Sequence, residues 1–198
     1  MFKVVLNGWS EPTYYAASNK EKAGLIKSEG GWSDGAKTYA RKLAYDRIGG
    51  EVDTEDFDTF ATAWGKQWEP VSRDSYAMLI GKPITGEQFI TYNDYMGTTP
   101  DGFIEGNNSI FETKCFQLDA HLRCVERPDD KEIIQVQHQL LCTGADNGHL
   151  VYFHPDTPDV LRRKVYIIEP DKGLHNRMLI EAERFNKLVE YYVLVYGG

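Results

Sequence analysis

The stretch TTPDGFIEGNNSIFETKC, residues 98–115, combines a strand pattern with acidic and basic side chains. Two short apolar segments flank Gly106-Asn107-Asn108, and this arrangement predicts a β-hairpin. The second segment alternates, so Ile110, Glu112 and Lys114 share one face. Asp101 follows a proline at the start of the first segment, and the predicted hairpin would bring it close to Glu112.

Two carboxylates that converge without an arginine partner favour a hard cation such as magnesium between them. Beside such an ion, Lys114 would orient or deprotonate a water, or stabilise charge on a phosphate. Taken singly, Asp101 could be an ordinary turn residue, and Glu112 and Lys114 could be an exposed pair on a strand. Taken together, their order and the apolar surroundings of Glu112 predict hydrolysis of a phosphodiester.

Helical patterns lie on both sides of these strands. One helix is predicted at about residues 33–49, capped by Ser33 or Asp34, with Tyr39, Leu43 and Ile48 as its apolar positions. Three more are predicted at about 56–79 with a kink near Pro70, at 131–142 and at 173–196. Further strands are predicted at about 88–95, 149–155 and 164–170.

This order of elements predicts an α/β (α+β) fold with a mixed central β-sheet flanked by helices. The 198 residues, 41% of them hydrophobic, suit a single nuclease domain over residues 1–198. Within it we expect an N-terminal helical part at about 1–85, a catalytic core at about 86–170 and a C-terminal helix at about 173–196.

Cysteine usage and hydropathy indicate the compartment. Cys115, Cys124 and Cys142 form no CxxC pair, which argues against a structural zinc site and fits a reducing cytoplasm. The sequence has no apolar run long enough for a membrane span and no signal-peptide pattern. We therefore expect a cytoplasmic protein with no membrane partner.

A net charge of −8 argues at first against a nucleic-acid partner. Net charge is only a sum, however, and carboxylates that hold metal ions add to the negative total. Basic residues do cluster, at Lys37, Arg41, Lys42 and Arg47 and again at residues 162–164. These clusters are either solvated faces or DNA contacts.

Pro100-Asp101 followed by Glu112-Thr113-Lys114 resembles the PD-(D/E)xK nuclease signature. IIQVQHQLLCTG at 133–144 and AWGKQWEP at 63–70 extend this likeness. The ordered set resembles the viral-recombinase (YqaJ) family, which includes phage lambda exonuclease. The resemblance implies a restriction-endonuclease-like core.

The resemblance also implies roles for individual residues. Asp101 and Glu112 would be the principal ligands of two magnesium ions, for which manganese would substitute, with the Thr113 carbonyl as a further ligand. Glu69 would add a carboxylate, Lys114 would position the attacking water, and Gln135 would contact the water or the lysine. Ser18 occupies the place of a serine that binds the terminal 5′-phosphate, although no arginine precedes it here. Lys37, Arg41 and Lys42 are the expected DNA-backbone contacts.

For the whole protein, the resemblance implies an exonuclease that degrades linear double-stranded DNA from 5′ to 3′. It would leave 3′ overhangs for a single-strand annealing protein and act as a ring-shaped homotrimer in the host cytoplasm. Two alternatives remain open on the residues alone. One is a structure-specific or restriction-like endonuclease with the same core. The other is a nonenzymatic DNA-binding recombination accessory.

Overall fold

The computed structural model of the protein describes residues 32–50 and 60–198. These residues divide into two compact units. The first contains residues 32–50, Thr91–Gly97 and Lys172–Gly198, and the second contains residues 60–90 and Thr98–Asp171. Predicted features that fall within residues 1–31 or 51–59, including Ser18, lie outside the described residues.

Twelve elements follow one another along the described residues. The helices are α1 (Asp34–Arg47), α2 (Phe60–Ile80), α3 (Leu118–Glu126), α4 (Asp130–Thr143), α5 (Asp159–Arg162) and α6 (Lys172–Gly197). The strands are β1 (Ile90–Asn93), β2 (Met96–Thr98), β3 (Gly102–Ile104), β4 (Ser109–Lys114), β5 (Asn147–Phe153) and β6 (Arg163–Ile168).

The second unit is built on a four-stranded sheet in the order β3-β4-β5-β6. β3 pairs with β4 and β5 with β6 in antiparallel fashion, whereas β4 and β5 are parallel. The parallel pair requires a crossover, and the connection from β4 to β5 contains α3 and α4. The predicted mixed sheet flanked by helices is therefore confirmed.

Both faces of β4 are buried, as the apolar residues around Glu112 predict. Ile110 packs with Val136 and Leu140 of α4 on one side. Phe111 packs with Tyr76 of α2 on the other side. The central strand is thus held between two helices, and polar side chains on it must find partners within the protein.

Gly148 on β5 determines how closely α4 approaches the sheet. A Cβ atom at this position would collide with Cγ1 of Val136 and press against Ile110. The absence of a side chain therefore allows α4 to lie directly over β4 and β5.

In the first unit, α1 begins where the sequence predicts, with the Ser33 side chain accepting a hydrogen bond from the N–H of Ala36 at 3.2 Å. The predicted apolar face was confirmed in part, because Tyr39 stacks on Phe185 of α6 and Leu43 is half-buried. The buried positions are Ala36, Ala40 and Ala44, whereas Ile48 is exposed. α1 packs against α6, and alanines allow two helices to approach closely.

The second helix was predicted from apolar residues spaced at threes and fours, and this stripe is buried only in part: Trp64 and Trp68 are half-buried. In α2, Phe60, Val71 and Met78 are exposed, and the buried side chains are Ser72 and Tyr76. Pro70 lies inside the helix rather than ending it. α2 belongs to the same unit as the sheet, although the sequence grouped it with the N-terminal helical part.

Candidate active site

The hairpin of β3 and β4 brings Asp101 to the polar end of β4. Gly102 pairs with Phe111, and the Thr113 N–H donates a hydrogen bond of 2.7 Å to Asp101 Oδ2. A Cβ atom at Gly102 would collide with the carbonyl of Thr85, so the residue after Asp101 must be small. Asp101 and the strand that carries Glu112 therefore meet, as the sequence predicts.

Both oxygens of the buried Glu112 carboxylate accept hydrogen bonds. Oε1 accepts from Gln135 Nε2 at 2.6 Å and from Lys114 Nζ at 2.8 Å. Oε2 accepts from Gln139 Nε2 at 2.7 Å. These donors fix the plane of the carboxylate, and Oε2 keeps a further lone-pair direction because a carboxylate oxygen accepts about two hydrogen bonds.

One face of α4 supplies two partners of Glu112, Gln135 and Gln139, and one partner of Lys114, Glu132. Glu132, Gln135 and Gln139 are three and four residues apart, so they lie on the same side of the helix. The sequence prediction named Gln135 alone, and it placed this residue against the water or the lysine rather than against Glu112. Gln137 points elsewhere on the helix and donates a hydrogen bond to the carbonyl of Glu169.

The sequence prediction did not include Glu132 and Gln139, although helical spacing places both on the same face as Gln135. Their side chains are nearly inaccessible to solvent, with 2% of Glu132 and 0% of Gln139 exposed. Glu87 was missed as well, and it shares a hydrogen bond with Glu69. None of the three belongs to the short signature that identifies the site in the sequence.

Lys114 lies between two carboxylates. Its Nζ is 2.8 Å from Glu112 Oε1 and 3.5 Å from Glu132 Oε2. Burial by itself lowers the pKa of Lys114, but Glu112, Glu132 and Asp101 outweigh this effect and raise the pKa above its ordinary value. The side chain is therefore an ammonium group and a hydrogen-bond donor.

The acidic groups repel one another. Burial raises the pKa of Asp101 well above its ordinary value, Glu112 and Glu69 raise it further, and Lys114 opposes them. Burial, Glu87 and Glu112 likewise raise the pKa of Glu69, which is half-buried on α2. Glu69 therefore lies within electrostatic range of the other two carboxylates, although on a different element.

Thr113 is anchored by its side chain as well as its backbone. Its hydroxyl donates to the carbonyl of Val151 at 3.0 Å and lies 2.6 Å from Ser72 Oγ on α2. Next to it, burial raises the pKa of the Cys115 thiol to about 12, so this cysteine is not a thiolate nucleophile at neutral pH. The role of the Thr113 carbonyl as a metal ligand stays a prediction.

The donor set suits magnesium. Among the described residues, no three His, Cys, Asp or Glu side chains converge closely enough to hold a metal ion by themselves. Mg²⁺ is normally bound through one or two carboxylates, with waters and substrate phosphate completing its octahedron. Asp101 and Glu112 would supply those carboxylates, and a cation between them would offset the burial and the repulsion from Glu112 that raise the pKa of Asp101.

The residues expected to contact the DNA backbone lie on α1 in the first unit. Arg41 and Lys42 are exposed, and the Arg41 guanidinium lies 5.0 Å from the centre of the Tyr192 ring. Lys37 Nζ lies 3.9 Å from Asp34 Oδ1. Their contacts with DNA stay a prediction.

The sequence profile of the YqaJ-like viral recombinase domain matches residues 22–146, which include Glu69, Asp101, Glu112, Lys114 and Gln135. The chain belongs to this family. All of the site residues that the signature predicts, apart from Ser18 near the start of the chain, fall within the matched region. A comparison with curated protein sequences gave no match.

Solved structures share the fold of this family member. The alkaline exonuclease LHK-Exo from Laribacter hongkongensis superposes with a TM-score of 0.74 at 21% identity, covering 93% of this chain and 90% of that one. Its complex with dAMP superposes with a TM-score of 0.76 at 21% identity, covering 94% of this chain and 89% of that one. A phage-related exonuclease from Haemophilus somnus 129PT superposes with a TM-score of 0.65 at 17% identity, covering 95% of this chain and 93% of that one.

Asp101→Asn should stabilise the metal-free protein. The asparagine still accepts the Thr113 N–H, but it removes a charge that burial and Glu112 disfavour. We expect the free energy of unfolding at neutral pH to be higher than that of the wild type, because burial and Glu112 make the charged form of Asp101 unfavourable. Urea unfolding in the presence of EDTA measures this gain.

The pH dependence provides the control for that measurement. Asp101 has a raised pKa in the folded protein, so wild-type stability falls as the pH rises above the unfolded-state value of about 3.9. The advantage of the variant should therefore disappear near pH 3, where the group is protonated in both states. The exposed Asp146→Asn should show no such gain, and a destabilised Asp101→Asn would contradict the electrostatic account.

Proposed function

We propose that this protein is a magnesium-dependent exonuclease that degrades one strand of linear double-stranded DNA from the 5′ end. The observation that carries the proposal is the convergence of Asp101, Glu112 and Lys114 on one end of β4, with Gln135 and Gln139 fixing Glu112. Membership in a viral recombinase family and the exonuclease fold add support.

In the proposed mechanism, Asp101 and Glu112 would hold a divalent cation, which when bound would supply Lewis-acid chemistry to the phosphate and the attacking water. Lys114 donates hydrogen bonds from its ammonium group, and so it orients the attacking water and stabilises negative charge on the phosphate. Gln135 and Gln139 keep the Glu112 carboxylate in one orientation. Glu69 adds negative charge from α2 within electrostatic range of Glu112 and Asp101.

The products and polarity follow from the same proposal. LHK-Exo has been solved with dAMP, which is a deoxynucleoside monophosphate of the kind that stepwise hydrolysis of DNA releases. Removal of one strand from the 5′ end would leave a 3′ overhang. Such an overhang is the substrate of a single-strand annealing protein, which we propose as the partner in recombination.

The assay compares blunt linear, nicked and covalently closed circular DNA of one sequence, with Mg²⁺ or EDTA. We expect mononucleotide release from the linear duplex with Mg²⁺ only, and an intact closed circle. A 5′-phosphorylated end should be degraded faster than a 5′-hydroxyl end if Ser18 binds the phosphate. Separate 5′ and 3′ labels on each strand report the polarity.

The outcomes separate the alternatives. Cutting of closed circles at the rate of linear DNA would identify an endonuclease. Binding of DNA without cleavage under any metal condition would instead identify a nonenzymatic accessory. Either result would overturn the exonuclease proposal.

We further propose that the protein acts as a ring-shaped homotrimer with DNA passing through the ring. With a net charge of −8, an isolated chain would hold DNA weakly once salt screens its basic patches. Enclosure by three copies would keep the enzyme on its substrate without a basic surface overall. Light scattering should give about three times 22.6 kDa, and a purely monomeric species would contradict the ring.

Within the described ranges, 32–50 and 60–198, no helix has the length and hydropathy needed to cross a bilayer.

A further inference from the structure

Glu132 is a buried carboxylate that the proposed chemistry does not require. Only 2% of its surface is exposed, and Oε2 has no hydrogen-bond partner among the described residues. Removing a carboxylate from water is strongly unfavourable unless compensating charges surround it. The position of Glu132 therefore needs an explanation.

The charges around Glu132 identify its target. Oε2 lies 3.5 Å from Nζ of Lys114, and Oε1 lies 3.4 Å from Nζ of Lys131. The Lys131 side chain is 47% exposed, so water weakens this second pair, whereas the Lys114 side chain is 20% exposed. Lys114 is the partner with which the buried charge interacts most strongly.

Glu112 lies closer to Lys114, at 2.8 Å, but its carboxylate also interacts with other groups. Glu112 also accepts from Gln135 and Gln139, and in the proposed function it binds the cation. A cation on Glu112 neutralises its charge and weakens its attraction for the ammonium group. Among the residues that the structure describes, Glu132 is then the other carboxylate that forms an ion pair with Lys114.

We propose that Glu132 is a positioning residue that holds the Lys114 ammonium in the site when Glu112 binds the cation. This inference rests on the proposed function, because it assumes that Glu112 is a metal ligand. Glu132 acts through the lysine and not through the metal. A change at Glu132 should therefore alter the rate of the chemical step and not the Mg²⁺ concentration that gives the half-maximal rate.

The test compares Glu132→Gln with Asp130→Asn on the same helix. Both residues lie in the first turn of α4, so both variants lose the same favourable interaction with the helix N-terminus. Asp130 is exposed and pairs with Arg127, at 2.9 Å, rather than with the lysine. The two variants thus differ mainly in the contact with Lys114.

We expect Glu132→Gln to lower kcat by about tenfold to a hundredfold, as misplacement of a reacting group does. The Mg²⁺ concentration for half-maximal rate should stay within twofold of the wild type. Glu132→Asp, which keeps the charge, should recover part of the rate, and it replaces the glutamine variant if that variant unfolds. Equal rates for Glu132→Gln and Asp130→Asn, or a higher Mg²⁺ requirement with unchanged kcat, would overturn the proposal.

A double-mutant cycle makes the inference testable without DNA cleavage. Urea unfolding of the wild type, Glu132→Gln, Lys114→Met and the double variant gives the coupling between residues 132 and 114. We expect this coupling to persist or increase when Mg²⁺ is added. Its loss with Mg²⁺ would contradict the proposal, whereas a wild type that binds Mg²⁺ without cleaving DNA would contradict only the proposed function.

Discussion

Lys114→Ala should reduce DNA cleavage by at least about a hundredfold, the usual effect of removing a donor that stabilises developing charge. The same change should leave the affinity for Mg²⁺ equal to or higher than that of the wild type. Lys114 is a cation beside two carboxylates, so its removal takes away repulsion toward a bound ion. Single-turnover cleavage and calorimetric titration with Mg²⁺ measure the two effects separately.

The matched control for this variant is Lys187→Ala, which removes one positive charge from the exposed Lys187–Glu183 pair on α6. It should cleave DNA at the wild-type rate. Lys114→Arg keeps the charge but changes the compact ammonium group into a planar fork, and so it should restore little activity. Wild-type turnover by Lys114→Ala would remove the lysine from the mechanism.

Glu112→Ala should abolish both cleavage and Mg²⁺ binding. The change removes a proposed ligand and leaves three donors, from Lys114, Gln135 and Gln139, without their acceptor. Breaking a buried ion pair by removing one partner costs roughly 3–5 kcal/mol. We therefore expect a large fall in unfolding free energy as well, which urea titration reports.

The control for Glu112→Ala is Glu105→Ala in the turn of the same hairpin, where the side chain is exposed. This variant should match the wild type in Mg²⁺ binding, cleavage and stability. If Glu112→Ala folds and still binds Mg²⁺ with wild-type affinity, then Glu112 has a structural role and the metal site lies elsewhere.

The hairpin could be predicted because its determinants are local. The alternation of Ile110, Glu112 and Lys114 and the turn at residues 106–108 fix the direction of each side chain within a few residues of chain. The hairpin register, with Gly102 opposite Phe111, then brings Asp101 to β4. Short-range physics was sufficient for this part of the site.

The partners on α4 depend on long-range packing. Helical spacing groups Glu132, Gln135 and Gln139, but only the placement of α4 over β4 shows that this face meets Glu112 and Lys114. α3 was missed for a local reason. Its N-cap residue, Gln117, makes no side-chain capping bond, so the segment lacks the usual start signal of a helix.

The predicted apolar faces of α1 and α2 were only partly right, because burial was inferred from residue size. Ala40 and Ala44 are fully buried against a neighbouring helix, whereas Met78 on α2 is 84% exposed. Side-chain hydrophobicity gives only a tendency for burial, since much of any protein surface is apolar. The sequence alone does not reveal which face a neighbouring helix covers.

The protein should be sensitive to substitution at Gly148, because the absence of a side chain there sets the distance between α4 and β5. A methyl group at residue 148 would collide with Val136, the neighbour of Gln135. The displaced helix would carry its amide groups away from Glu112 and its acid away from Lys114. A substitution that adds only a methyl group would thus disturb the polar contacts around Glu112 and Lys114.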